Sequence, residues 1–342
     1  MGEKMRVGII GSGGWASRYG VALQNSTKAE LVAVAGGSRA PAYAERFGLR
    51  LEESVESLCA APDLDLVIVA CPHGFHAQYS IAALDQGKHV LVEKPMATTV
   101  EDCDRMIEAA QRNRVKLMVA HSRRYFPLVR KAKELLDAGE IGPILMMRQT
   151  FCHDARGFGE RPGHWMSDPQ LSVGFFLGYG CHQLDMTLWL VGSRAKSVFA
   201  QFGNPWSESP IEKCGALFIR FENGAYTTLW ELCSMPPELS AWPPFPEFHE
   251  VNEIVGEKGL MILRPYQRVM LRRDGGWETV LELSGEEADP VHSFLREETE
   301  DLIDSIVQDT TPPVTPEEGK HTVEVCLAAY ESSRTGEAVH LT

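Results

Sequence analysis

The sequence predicts an α/β protein of two domains: an N-terminal doubly wound parallel sheet, then an α/β domain built on a large, mostly antiparallel open sheet. Three observations carry this expectation. Between Arg6 and Ala120, short runs of Val, Ile, Leu and Ala alternate with helical patterns, as strand–helix–strand units of a parallel sheet do. A glycine-rich turn, Gly11-Ser12-Gly13-Gly14-Trp15-Ala16, separates the first such run from the first helical pattern. Past Arg124 the strand-like segments lengthen, and Asn223-Gly224, a strong hairpin turn, joins two of them. The boundary falls between residues 124 and 125, giving domains of residues 1–124 and 125–342.

Composition narrows the function classes. A chain of 342 residues is long enough for two separate cores, and 44% hydrophobic with 23% charged residues is ordinary for a soluble globular protein. With 33 Lys and Arg against 47 Asp and Glu, the formal charge is −14. Such a surface repels phosphate backbones and anionic membranes, so neither nucleic acid nor membrane is expected as a partner. The eight cysteines form no C-x-x-C pair, which argues against a zinc knuckle or disulfide scaffold and suits a reducing compartment. With no signal-peptide pattern and no apolar run of transmembrane length, a cytoplasmic location is expected.

Arg6-Val7-Gly8-Ile9-Ile10 reads as a buried strand feeding a G-x-G-x-x-A turn, and a helix follows through Val21, Ala22 and Leu23. Gly11 permits the tight turn, Gly13 lets backbone approach a pyrophosphate, and Ala16 allows close helix–strand packing. The helix N-terminus adds N–H groups and the positive end of its dipole. Gly11, Ser12, Gly13, Gly14 and Trp15 are therefore expected to hold a dinucleotide, which makes this a Rossmann domain. The second strand, 31–35, ends in Gly36-Gly37-Ser38-Arg39, with no carboxylate to repel a 2′-phosphate. Ser38 and Arg39 could both bind one, so NADP is expected, with NAD as the alternative. The plainer alternative makes Arg39 a solvated loop residue and Ser38 the cap of a helix that Pro41 opens.

A third strand, 66–70, meets Cys71-Pro72-His73-Gly74-Phe75-His76. No further ligand cluster accompanies His73 and His76, so no metal is expected. The run Val90-Leu91-Val92 ends abruptly in Glu93-Lys94-Pro95, and the proline, which cannot donate to a ladder, stops the strand. Lys94 then stands at the carboxyl end of a buried strand, where open α/β sheets place their ligands. It could give a charge-assisted hydrogen bond to a substrate oxygen, or simply pair with Glu93 on a turn. Thr99, with Asp102 three residues on, caps the next helix, which leads to the strand 116–120 and His121.

In the second domain Leu128, Ala132, Leu135 and Leu136 form one face of a helix that Gly139 ends. Strands are expected over 144–151, 197–202, 216–221, 225–233 and 277–283. The stretch 174–180 leads into a helix beginning near Cys181-His182. Met235–Phe248, with five prolines, cannot be regular and reads as an ordered loop over a cleft or subunit contact, or equally as a surface excursion. Thr315-Pro316-Glu317-Glu318 opens a helix with its cap, proline and glutamate in place.

Together these stretches resemble the glucose–fructose oxidoreductase, inositol dehydrogenase and rhizopine-catabolism family (Gfo/Idh/MocA). The resemblance is carried by Val7–Ala16, Cys71-Pro72-His73 with His76, Gly87–Pro95 with its Glu-Lys-Pro ending, Arg124-Tyr125-Phe126-Pro127, and Gly180-Cys181-His182-Gln183-Leu184-Asp185. It implies NAD(P)-dependent hydride transfer on a sugar, polyol or related carbonyl compound. It also implies a homo-oligomer, dimer or tetramer, assembled through the large sheet. By this resemblance Lys94 is the catalytic lysine and His182 the proton-transferring residue. Cys71, Pro72, His73, His76, Glu93 and Lys94 join the cofactor contacts, and Lys94, His121, Tyr179 and His182 the substrate contacts.

The chemistry agrees: one group must stabilise developing alkoxide charge, which suits an ammonium, and another must take a proton near neutral pH, which suits an imidazole. Asp185, one turn beyond His182, could orient the ring or simply be a favourable charge near the helix start. One departure stands out, for relatives resembling inositol dehydrogenase carry an aspartate where this chain has Gly178. Two other functions therefore stay open: glycoside cleavage assisted by a cofactor with no net redox change, and nucleotide sensing without turnover.

Overall fold

The computed structural model describes residues 4–153, 164–168, 171–204, 211–232, 248–283 and 290–341. In chain order the first elements are β1 (Met5–Ile10), α1 (Gly14–Gln24), β2 (Ala29–Ala35), α2 (Ala40–Phe47), β3 (Arg50–Leu51) and α3 (Val55–Ala60). There follow β4 (Leu66–Val69), α4 (His76–Asp85), β5 (His89–Glu93), α5 (Val100–Asn113), β6 (Leu117–Ala120) and α6 (Pro127–Asp137). Then come β7 (Ile144–His153), α7 (Cys181–Val191), β8 (Ala195–Gly203), β9 (Cys214–Phe221), β10 (Tyr226–Leu232) and β11 (Phe248–Gly256). The chain closes with β12 (Leu260–Arg264), β13 (Arg268–Arg273), β14 (Gly276–Glu282), α8 (Pro290–Val307), α9 (Pro316–Thr335) and β15 (Val339–His340). The proline-rich loop expected over Met235–Phe248 lies, apart from Phe248, outside the described residues.

Two compact units result. The first comprises Met1–Ser122, Gln170–Ser172 and Asp289–Val323; the second comprises Arg123–Pro169, Val173–Ala288 and Glu324–Thr342. The boundary expected at 124/125 lies two residues beyond the change at Ser122, but the return of Asp289–Val323 to the first unit was not foreseen. Polar side chains explain that return. Glu298, Glu300 and Asp304 of α8 bond to Tyr19, Ser26 and Lys28 in and just after α1, at 2.7, 2.6 and 2.6 Å.

In the first unit six parallel strands stand in the order β3-β2-β1-β4-β5-β6. Val7, Ile9, Ile68, Val90, Leu91, Val92 and Met118 are all fully buried, as strands covered on both faces require. Each such side chain contributes about 1.5–3 kcal/mol relative to leaving it in water. β1 lies between β2 and β4, so the loops leaving β1 and β4 flank the point where strand order reverses. Thr99 caps α5 as expected, its hydroxyl accepting from Asp102 N at 3.1 Å, whereas α2 is entered through Arg39 and takes no side-chain cap, from Ser38 or otherwise. The Thr315–Glu318 capping box closes from both sides, at 2.9 and 3.2 Å.

In the second unit nine strands run β14-β13-β12-β11-β7-β10-β9-β8-β15, antiparallel except where β7 and β10 pair in parallel. Burial alternates along the central strands. Met147, Phe151, Leu217, Ile219, Leu229, Ile254, Met261 and Leu263 point inward, while Phe199, Phe218, Tyr226 and Trp230 lie exposed on the other face. Register places Glu231, Phe151 and Glu250 side by side in one inward row. Gly224, at φ +91°, makes the expected hairpin turn between β9 and β10. β11, β12 and β13 were not foreseen.

Candidate functional site

The glycine loop after β1 is shaped by contacts that forbid side chains. Gly11 takes φ +118°, and a Cβ there would run into the carbonyl of Ala70 after β4, so only glycine lets the two loops touch. Gly13 and Gly14 differ: a Cβ on Gly14 meets nothing within 4 Å, and one on Gly13 meets only the guanidinium of Arg39, at 3.6 Å. Open backbone at the first turn of α1, where N–H groups have no helical partner, fits a dinucleotide's phosphates. Ser12 Oγ donates to Gly36 O at 3.1 Å and joins this loop to the one after β2. Ser38 and Arg39 are exposed there, so the Arg39 cation stands beside the open glycine.

At the end of β5, Glu93 is buried and Lys94 half-buried, and the Lys94–Pro95 bond is cis. The Trp15 indole donates to Glu93 Oε1, and Lys94 N donates to Glu93 Oε2 at 3.2 Å. The glycine-loop helix and the lysine are thereby tied to one carboxyl. Burial pushes the Glu93 carboxyl up to about 7, with Lys94, Tyr19 and Trp15 pulling the other way.

His76 is fully buried, its ring nitrogens 2.8 Å from Pro95 O and 2.9 Å from Cys71 O, so it fastens the loops after β4 and β5 to each other. Burial pushes His73 well below its ordinary range, reinforced by His76 and Lys94, and lowers His76 too. Burial also pushes the Cys71 thiol up to about 12, so it stays protonated. His121 is buried immediately after β6.

In the second unit a π-helical turn, Phe176–Gly180, runs straight into α7 and puts His182 on its first turn. The Tyr179 ring stacks between Phe175 and Phe151, at 5.2 and 5.9 Å, and meets His182 edge-on at 5.9 Å. Asp185 takes a bidentate bond from a residue the sequence reading gave no role. Arg124 Nε and Nη2 reach its two oxygens at 2.9 and 2.7 Å, both side chains being buried. Arg123 pairs with Glu250 and lies over the rings of Phe126, Phe151 and Tyr266. With its amide turned to suit both neighbours, Gln183 accepts from Arg123 Nη2 at 2.9 Å and donates to Tyr179 O at 3.2 Å. Two arginines thus hold the first turns of α7 through Gln183 and Asp185, both just after His182. Gly178 is buried, and Glu231 of β10 lies so close to Gly180 that a side chain there would collide with its carboxylate.

Sequence reasoning missed Arg123, Arg124, Glu250, Tyr19 and Glu298. A signal existed for the last: Leu295, Glu298 and Leu302 share one helical stripe, so an acid sits in the apolar face of α8. Among the described residues no group of three or more His, Cys, Asp or Glu is arranged to hold a metal.

A parallel sheet with an open glycine loop at its switch point, and a lysine after β5, defines a nucleotide-binding scaffold of the oxidoreductase class. The chain belongs to the Gfo/Idh/MocA family: residues 5–121 match the family described as oxidoreductase family, NAD-binding Rossmann fold, and residues 129–262 match the GFO/IDH/MocA C-terminal domain. Over 278 residues it is 33% identical to inositol 2-dehydrogenase 2 of Saccharopolyspora erythraea, covering 79% of this chain and 76% of that protein. It is 26% identical over 349 residues to D-xylose 1-dehydrogenase (NADP(+)) 2 of Haloferax volcanii, covering 98% of this chain and 100% of that one. The chain spans about half the length of other curated relatives it matches, from 42% to 54%. A solved structure of levoglucosan dehydrogenase in complex with NADH and levoglucosan shares the fold, with TM-score 0.87 at 22% identity over 99% of this chain and 100% of that one. Among the described residues no helix is long and apolar enough to cross a membrane.

Proposed function

We propose that this chain is an NAD(P)-dependent dehydrogenase or reductase that moves a hydride to or from a sugar, a polyol or a related carbonyl compound. The observation that carries it is the Trp15–Glu93–Lys94 connection, which ties an open dinucleotide loop to a lysine at the end of β5. Gly11, Ser12, Gly13, Gly14 and Trp15 would hold the dinucleotide, with Cys71, Pro72, His73, His76 and Glu93 forming the neighbouring walls. When bound, the nicotinamide supplies a hydride donor or acceptor. Lys94 would donate a charge-assisted hydrogen bond to the substrate oxygen as charge develops there, keeping its protons, and His182 would take or return the hydroxyl proton. Asp185 acts as a positioning residue, since its bond to Arg124 fixes the helix turn that carries His182. His121 and Tyr179 contact the substrate. The sugar and polyol names of the relatives support this substrate class.

Arg39, exposed beside Gly13, favours NADP over NAD, because a guanidinium binds a 2′-phosphate bidentately. The open face of the large sheet, with Phe199, Phe218, Tyr226 and Trp230 exposed, supports assembly into a homo-oligomer through that face. Free cysteines at seven described positions suit the cytoplasm. The test is a panel of sugars and polyols with NADPH or NADP, followed by nicotinamide absorbance. Catalytic consumption of cofactor is expected. Product without consumption would point to redox-neutral glycoside cleavage, and tight nucleotide binding with no product would point to a sensor.

A further inference from the structure

Two buried carboxyl groups meet at one tyrosine in the first unit. Tyr19 OH lies 3.0 Å from Glu93 Oε1 and 2.7 Å from Glu298 Oε1, and all three side chains are shut off from solvent. A phenol has a single proton to give, so it can donate to only one carboxyl. The second short contact becomes a hydrogen bond only if that carboxyl carries a proton and donates to the phenol oxygen. Both carboxyls charged would set two like charges against one another in a buried site.

The surroundings decide which one holds the proton. Glu93 accepts from the Trp15 indole and from Lys94 N, and faces the Lys94 ammonium. Glu298 has Tyr19 as its partner, its Oε2 is buried without a hydrogen bond, and the charges facing it are those of Glu93 and Asp301. Donors and a cation therefore favour charge on Glu93, and carboxylates oppose it on Glu298.

We infer that Glu298 is a permanently protonated acid that donates to Tyr19, which in turn donates to Glu93, and that this chain holds Glu93 as the counter-ion of Lys94. Glu298 and Tyr19 are positioning residues for the reaction, one and two hydrogen bonds behind Glu93; the inference rests on the role proposed above for Lys94. Burial drives Glu298 well above the ordinary carboxyl range and Glu93 less far, and it keeps the Tyr19 phenol protonated. His73 and His76 also face Lys94, and burial disfavours their cationic forms. In this arrangement Glu93 is the group that titrates, and its protonation strips Lys94 of its counter-charge.

Infrared difference spectra of the purified protein against Glu298→Gln test the protonation state without any substrate. A protonated-carboxyl stretch that is present at alkaline pH and lost in Glu298→Gln is expected; its persistence in that variant, or its absence from the wild type, overturns the inference. The functional arm is the acid limb of kcat. Tyr19→Phe removes a donor to a charged carboxylate, so the limb should move up by about one to two pH units. Glu298→Leu should move it the same way, and Glu298→Gln, whose amide still donates to Tyr19, should restore it. Limbs that coincide in all three variants would mean a merely structural cluster. If Lys94→Ala keeps its turnover while the infrared band behaves as stated, the proposed role of Lys94 fails and the proton assignment survives.

Discussion

In the first unit Glu93 and Glu298 meet across a tyrosine hydroxyl, while in the second Asp185 and Glu250 each face a buried guanidinium. A carboxyl group can be buried by neutralising it with a proton or with a cation, and this molecule uses both. The consequences differ. A proton-neutralised pair answers to pH and tolerates an amide in place of the acid. A cation-neutralised pair is indifferent to pH near neutrality but leaves a stranded charge when either partner is removed. The first arrangement lies behind Lys94. The second holds the turns of α7 that follow His182.

If the arginine clamps exist to place His182, that ring must matter to chemistry. His182→Asn is expected to lower kcat by about 10²- to 10⁴-fold with little change in nucleotide affinity. Near-normal turnover in steady-state assays would make the clamps purely structural. Next in size is the clamp itself. Asp185→Ala removes the bidentate partner of the buried Arg124 and should destabilise the protein by about 3–5 kcal/mol in urea unfolding. A loss below about 1 kcal/mol would place the pair in the class of screened surface bridges.

The loop after β2 offers a third, exposed setting for a cation, and a smaller effect. Arg39→Ala should weaken NADPH binding by about 1.5–3 kcal/mol and leave NADH nearly unchanged. Equal losses for both nucleotides, measured by fluorescence titration, would remove the argument for NADP.

A pH-dependent effect separates the two ways of burying charge most cleanly. Glu93 has an ordinary carboxyl value of 4.5 and a folded value raised to about 7. Between those values the native state binds more protons than the unfolded chain, so Glu93 contributes stability at acid pH that is lost as pH rises toward 7. Unfolding midpoints of the wild type should fall relative to those of Glu93→Gln across that window. A relative rise would reverse the sign and show Glu93 stabilised as a carboxylate.

Much of this was readable from the chain. The parallel strands β1, β2, β4, β5 and β6 are continuous apolar runs, and both the glycine loop and the Glu-Lys-Pro ending announce themselves locally. β11, β12 and β13 escaped because they are alternating segments carrying Glu250, Asn252 and several arginines, a pattern that resembles loop as much as strand. Ser38 looked like a helix cap, but Gly36 and Gly37, at φ +79° and +84°, turn the chain so that Arg39 enters the helix. The polar partners were hidden by distance along the chain: Arg124 and Asp185 are 61 residues apart, Arg123 and Glu250 are 127, and Tyr19 and Glu298 are 279. Periodicity reports which face a residue occupies, and Glu298 betrays itself only as an acid in an apolar stripe. What it meets there depends on tertiary packing.

The central claim is that Lys94 acts chiefly at the reacting oxygen and adds little to nucleotide affinity. Its most direct test compares wild type and Lys94→Ala in two assays on the same preparation: NADPH titration by fluorescence, and turnover with whichever sugar or polyol the wild type accepts. Unchanged nucleotide affinity with kcat lowered by about 10²- to 10³-fold is the expected result. Loss of nucleotide binding with turnover preserved at saturating NADPH would contradict it.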